Sequence, residues 1–207
     1  LQEYMGYNAI WAGIAVSALG IGPVLFSMLT PKIIKVFGNL MTLMIAFIIF
    51  TFSCFYTAYF TTAVDLFHIA FARFFFGFAF IFYITPLFSM NVQDIPHPSL
   101  PHATGIFHFI RAMVGGIGTS VFTTLWIRRT IFHHERIGSQ LTPFNPITPQ
   151  ATDPQSLALL NEALDKQAAM LAINDAFYFM GWCYLALVLL LFLWRYWPRK
   201  KALVIKN

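Results

Sequence analysis

Few side chains in this 207-residue chain can do chemistry, and most of them sit inside long apolar runs. Arg111 lies deep in one such run, with His108 three residues before it, so on a helix both face one side. A cation at that depth needs a partner, water or a ligand, so Arg111 is read as a functional or helix-bridging group. His108 has a plainer reading, as a hydrogen-bonded packing residue. Asn174-Asp175 stands at the start of the last apolar run. A carboxylate there either stabilises a helix N-terminus or forms a polar group at the mouth of a pathway. Arg111, Asp175, His108 and Asn174 are the candidate polar contacts of such a pathway. Arg73, in the first turns of another run, is expected to snorkel to an interface.

No metal or nucleophile chemistry is encoded. His97, His102 and His108 are unevenly spaced, and the adjacent pair His133-His134 diverges by about 100° on a helix. No HExxH, CxxC or carboxylate cluster accompanies them, and no glycine-rich phosphate loop exists. Cys54 and Cys183 both fall within apolar runs and read as small buried hydrophobes. No cofactor is expected.

The elements that position these groups follow from composition. Hydrophobic residues make up 58% of the chain and charged ones 10%, against about 25% charged in soluble domains. Apolar runs occupy residues 10–30, 40–60, 66–90, 103–127 and 173–197, each near or above the ~20 residues a bilayer-crossing helix needs. Backbone polar groups in hydrocarbon must be satisfied within the segment, so these runs are helices. The fold class is therefore an all-α membrane bundle with five spans. Membrane lipid is its immediate partner.

Between the fourth and fifth spans, residues 128–172 form the one sizeable polar segment. It is expected to be an extracytoplasmic loop with turns at Thr142-Pro143-Phe144-Asn145-Pro146 and Thr148-Pro149. A short amphipathic helix over 155–171, with Leu157, Leu160, Leu164 and Ala168 at helical spacing, would lie outside and feed the last span. Arg128-Arg129 would close the preceding helix. Lys32, Lys35, Arg195, Arg199, Lys200, Lys201 and Lys206 then fall on one side, against Arg128, Arg129, Arg136 and Lys166 on the other. That balance places the C-terminus in the cytoplasm. The formal charge of +5 is concentrated after the last run without interleaved aromatics, which excludes nucleic acid as a partner.

Small residues and prolines mark where helices pack or bend. Gly115, Gly116 and Gly118, with Ser120, form a small-residue face on the fourth span. Gly20, Gly22 and Pro23 in the first span, and Pro86 in the third, are expected to weaken or bend their helices. Phe74-Phe75-Phe76 with Phe78, Phe80 and Phe82 reads as lipid-facing or packing, with an apolar pocket as the sharper alternative.

Several stretches in order resemble one family. Gly6-Tyr7-Asn8-Ala9-Ile10-Trp11-Ala12-Gly13 looks like the G-Y-x-A-x-W-A-G opening of a span in the EmrB/QacA-type drug:proton antiporters, the fourteen-helix branch of the major facilitator superfamily. Gly77-Phe78-Ala79 with Pro86-Leu87 resembles another span. Arg111 with Gly115-Gly116-Ile117-Gly118-Thr119-Ser120 resembles the N-x-x-R-x-x-x-G-x-I-G-x-S helix, with His108 in place of the Asn. His133-His134 followed by Pro143-Phe144-Asn145-Pro146 resembles the outer loop of EmrB-like pumps, and Asn174-Asp175-Ala176-Phe177 the acidic start of their last helix. The turn Thr30-Pro31-Lys32-Ile33-Ile34-Lys35 lacks the Gly and Arg that relatives carry there.

The resemblance runs from residue 1 to 197 and implies helices ten to fourteen, with Leu1-Gln2-Glu3-Tyr4 ending helix nine. It implies the C-terminal half of a proton-coupled multidrug exporter in a bacterial inner membrane, moving lipophilic or cationic compounds by alternating access. It implies the proton gradient as energy source, with the coupling carboxylates mainly in the N-terminal half. Implied partners are that N-terminal half, a periplasmic membrane-fusion adaptor and an outer-membrane channel. The alternatives from other classes are a non-transporting membrane protein, such as an assembly subunit or lipid-modifying enzyme, and an inactive truncated remnant.

Overall fold

The computed structural model describes residues 5–141 and 153–196. Among them are five long apolar helices: α1 (Ala9–Phe26), α2 (Thr30–Thr57), α3 (Leu66–Val92), α4 (Leu100–Gly138) and α5 (Pro154–Tyr196). A single 3-10 turn, His97–Ser99, leads into α4. The helices follow directly from the apolar runs. Each is long enough to cross a membrane, and the chain is an all-α multi-pass bundle.

The stretch 31–39, left between the first two apolar runs, is partly helical. Residues 30–37 form a short helix, and Gly38, at φ 79°, breaks it before the span proper begins. That backbone conformation is open to glycine at little cost, so Gly38 sets the turn. Thr42 Oγ1 donates to the freed Gly38 carbonyl at 2.9 Å. Pro23 and Pro86 lie within α1 and α3, and both helices continue past them, to Phe26 and Val92.

The larger departures lie in the polar segment. Arg128 and Arg129 do not close a helix, because α4 continues to Gly138. The amphipathic stretch is not a separate short helix, because α5 starts at Pro154 and runs unbroken through Asp175 to Tyr196. The reason is local: no Gly or Pro stands between 119 and 137, or between 155 and 180. At 39 and 43 residues, α4 and α5 span about 58 and 65 Å at 1.5 Å per residue, roughly twice a bilayer's hydrocarbon core. Their polar ends therefore form an antiparallel pair extending past it. Residues 1–4, the turns at 142–149 and the basic Arg199, Lys200, Lys201 and Lys206 lie outside the described residues.

In lipid, apolar burial alone does not drive helices together, so shape decides which helices meet. Helix α1 presents a stripe of Ala12, Ala15, Ala18 and Gly22 to α3. The two backbones come so close that a Cβ on Gly77 would fall 1.9 Å from Leu19 O, and one on Gly22 would fall 2.6 Å from Phe78 N. Phe26 and Phe78 meet edge to face at 4.5 Å beside this crossing.

Helix α2 packs on α3 through Phe50–Phe76, 4.7 Å between ring centroids, and through the buried Ser53, whose Oγ donates to Ala72 O at 2.9 Å. It packs on α5 through Phe50–Tyr184, stacked at 5.1 Å. Leu43, Phe47, Phe50 and Ala79 form the core, with Tyr83, Tyr184 and Val188 against it. Helix α4 packs chiefly on α5 and has no buried residue. Cys54 is buried as expected, but Cys183 is exposed, because it lies on a face of α5 turned away from α2.

Gly77→Ala is expected to destabilise the bundle by about 1–3 kcal/mol, the usual range for overpacking. Gly115→Ala is expected to be near neutral, because a Cβ there meets nothing within 4 Å. Thermal unfolding of the two variants in detergent checks the contrast.

Candidate functional site

The polar residues singled out from sequence do not converge on one place. Arg111 and Asp175 occupy two separate sites. Arg111 is 18 positions before Arg129, the α4 residue that faces Asp175, which is about 27 Å along the helix.

Arg111 lines a cleft of about 730 Å³ between the C-terminal part of α3 and the N-terminal part of α4. Tyr83, Leu87, Ile106, Ile110 and Val114 supply most of its apolar wall. Arg111 is the one charged side chain in the lining. The cleft exists because α3 and α4 barely touch. Phe88 meets Phe107 at 5.5 Å and stacks on His108 at 6.4 Å near the chain reversal, and above that the helices part. His108 is thus a packing residue against Phe88, beside the cleft and not among its lining residues.

Gly115 lines the cleft, while Gly116 and Gly118 also have open space where a Cβ would project. Gly20 is similarly open, whereas Gly22 sits in the tight α1–α3 crossing. Of the phenylalanines, Phe76 and Phe82 turn into the bundle and Phe71, Phe74 and Phe75 pack on one another. Of Phe74, Phe75, Phe76, Phe78, Phe80 and Phe82, none is among the cleft's lining residues, where Phe107 of α4 stands instead.

The second site lies at the other end of the bundle, where α5 meets two neighbours. Asp175 lies well inside α5, which starts at Pro154, so the expected role at that helix's N-terminus is replaced by pairing with α4. His133 Nε2 stands 2.7 Å from Asp175 Oδ2, and Arg129 Nε stands 3.4 Å from the same oxygen. Asn174 turns the opposite way, where its Nδ2 donates to Phe60 O at 2.7 Å and ties α5 to the α2–α3 connection. Gln167 reinforces that tie through Thr62 Oγ1 at 3.1 Å. Asn174 Oδ1 is buried without a partner among the described residues.

It borders a cavity of about 130 Å³ shared with Arg73, Thr57 and Phe177. Arg73 does not snorkel outward as expected. It points inward to lie 5.8 Å from the centre of the Phe177 ring, because α5 offers an aromatic face there. A cavity of this size has room for water, and Thr57, Arg73 and Asn174 supply the polar groups in an otherwise apolar lining.

His134, Arg129 and Asp165 belong to this end too, with His134 Nε2 3.2 Å from Asp165 Oδ1. In the sequence His133-His134 reads as a failed metal pair and as part of an outer-loop motif, with no sign of the carboxylates each meets. The usable signal was the acidic residues at 165 and 175 on a helix antiparallel to them. Among the described residues no group of three His, Cys, Asp or Glu can hold a metal ion.

Comparison with known proteins agrees with this architecture. The chain is 32% identical over 191 residues to the probable multidrug resistance protein EmrY of Escherichia coli K12, which covers 86% of this chain and 36% of that protein. It is 29% identical over 199 residues to the multidrug export protein EmrB of Escherichia coli K12, 91% of this chain and 39% of that one. It is 27% identical over 190 residues to the fatty acid resistance protein FarB of Neisseria gonorrhoeae, 86% of this chain and 37% of that one. The chain is a relative of the EmrB-type multidrug export proteins of the major facilitator superfamily.

It spans a little over a third of the length of these curated relatives, as a C-terminal portion would. No family model matches the chain, and no solved structure matches it. For an EmrB-type bundle, the two polar sites divide naturally: a cleft lined by apolar residues and one cation, and a polar end that holds α4, α5 and the α2–α3 connection together.

Asn174→Ala removes the bond to Phe60 O and is expected to cost about 1 kcal/mol, the usual net value of one hydrogen bond. Limited proteolysis in nanodiscs should then cut the α2–α3 connection faster than in the parent, with cutting elsewhere unchanged.

Proposed function

We propose that this chain forms part of a secondary active exporter of amphiphilic compounds, with the α3–α4 cleft as part of its cargo site and Arg111 as the contact for an anionic group. The observation that carries the reading is a 730 Å³ cleft whose apolar wall holds one charged side chain, a cation. Volumes of 300–1,000 Å³ suit drug-sized ligands. An apolar wall accepts many shapes, because dispersion and burial do not demand fixed geometry. A guanidinium in low-dielectric surroundings attracts a carboxylate and repels another cation, so of lipophilic and cationic cargo the cleft favours the lipophilic kind with an acidic head. The name of the relative FarB, a fatty acid resistance protein, accords with such cargo.

In this reading the cleft is one wall of a larger cavity. The longer relatives support a further bundle opposite it, and transport proceeds by rocking of the two about the cavity. The glycine face at 115–118, open in this chain, is where such a bundle would pass close by. The proton gradient drives the cycle, and the protein sits in a bacterial inner membrane with its C-terminus in the cytoplasm. An adaptor and outer-membrane channel complete the route in cells that have an outer membrane.

The test compares efflux of a medium-chain fatty acid with that of tetraphenylphosphonium, in cells expressing the protein at matched levels. Arg111→Ala is expected to lower fatty-acid efflux by about tenfold, equivalent to 1.4 kcal/mol of contact, and Arg111→Lys by less. The lipophilic cation should not suffer. Unchanged fatty-acid efflux in Arg111→Ala would show the assignment to be wrong.

A further inference from the structure

The seam between α4 and α5 gathers titratable groups more densely than any other part of the described structure. Asp175 Oδ2 receives His133 and Arg129 from α4, and Asp165 receives His134 one helical stretch away. His133 is the most enclosed of these, with 14% of its side chain exposed against 36% for Asp175 and 47% for Arg129. The same seam is nearly all that holds α4. It carries no buried residue, and its N-terminal half parts from α3 around the cleft. Other ties along the seam include the Trp126 indole N–H to Ala169 O at 3.3 Å and the Phe122–Phe177 edge contact at 6.2 Å. Whatever changes the strength of the His133–Asp175 contact therefore changes how firmly α4 is held.

We propose that His133 and Asp175 form a proton-binding site whose occupancy sets the clamp between α4 and α5. With a neutral imidazole, the pair is a hydrogen bond to a carboxylate already countered by Arg129. One proton taken from the adjoining water makes the imidazole a cation, and the contact gains the attraction of two opposite charges 2.7 Å apart. Histidine is the side chain suited to make this change between about pH 5 and 8. No covalent step is involved, and the proton returns to water when the clamp loosens.

The charged neighbours do not supply a competing switch. On α4 the groups facing Asp175 are the Arg129 guanidinium and His133 itself. On α5, Asn174 is turned to Phe60 O. The charge that α3 brings to α5 is Arg73, engaged over Phe177. His134–Asp165 is a separate and more exposed pair. The α4 tilt, and with it the width of the Arg111 cleft, would then follow the pH at the polar end. This goes beyond the transport reading and does not require it.

The experiment uses the whole chain in lipid nanodiscs. Spin labels are placed at Ile131→Cys on α4 and Leu159→Cys on α5, both exposed, with Cys183→Ser removing the exposed native thiol. Their distance distribution is measured at pH 8 and pH 6. Acidification is expected to shorten and narrow it. His133→Gln is expected to abolish that response, His134→Gln to retain it, and Asp175→Asn to give the broad distribution at both pH values. A parent distribution identical at both pH values overturns the proposal whatever the variants do. So does a response that survives in His133→Gln. Efflux plays no part in this readout, so failure here leaves the cargo reading standing, and the reverse.

Discussion

The stacking of α2 on α5 decides where every other element can go. Phe50 lies flat on Tyr184 at 5.1 Å and Phe47 follows at 6.0 Å, while Phe55 wedges between Tyr178 and Trp182. Phe55 reaches α5 because Gly181 leaves it space. A Cβ there would stand 3.0 Å from the ring edge. Within lipid these contacts gain packing and not release from water, so their fit matters more than their area. With α2 fixed on one face of α5, α3 packs on α2 and reaches α5 through Arg73 and Phe177, and α1 packs on α3. Helix α4 takes the other face of α5 and meets α3 near the chain reversal, at Phe88.

That division explains why the two polar sites differ. Where α5 has a neighbour on both sides, its polar residues are used as ties: Asn174 towards Phe60, Asp175 towards His133 and Arg129. Where α4 has no close neighbour, apolar side chains and Arg111 face a cleft. Polar groups are expensive at membrane depth, so the one charge there marks a place where something other than hydrocarbon is met. The likeness to EmrB-type exporters was reached by sequence comparison, and the cleft gives it a physical counterpart.

The spans and the all-α class were legible in the sequence because a run such as 40–60, without a charged residue, admits one solution in a bilayer. The resemblance to EmrB-type exporters was legible too, and close relatives carry it over most of the chain. Helix ends were less legible. Arg128-Arg129 and the polar run before Asn174 read as the edges of a loop, since polarity was taken for an end. Polarity does not end a helix that leaves the membrane, and α4 continues past Arg128-Arg129 to Gly138. Partners across helices were hardest to see. His133 and His134 diverge on α4, which argued against a shared ligand, yet divergence lets each reach a different carboxylate of α5. Gly77 stood out within a motif, but nothing in one sequence says that its missing side chain faces Leu19.

Helix α4 is docked by its polar end while its other half lines a cleft. Cysteines placed one at a time at Ile106, Ile110 and Val114, and at the lipid-exposed Leu189 and Leu190 of α5, test this through labelling by a water-soluble, membrane-impermeant maleimide in nanodiscs, with Cys183→Ser as background. Rapid labelling at the three cleft positions, and slow labelling at the two on α5, is the result the account predicts. Equally slow labelling at all five would contradict it, because the half of α4 around Arg111 would then face hydrocarbon and not a watered cleft.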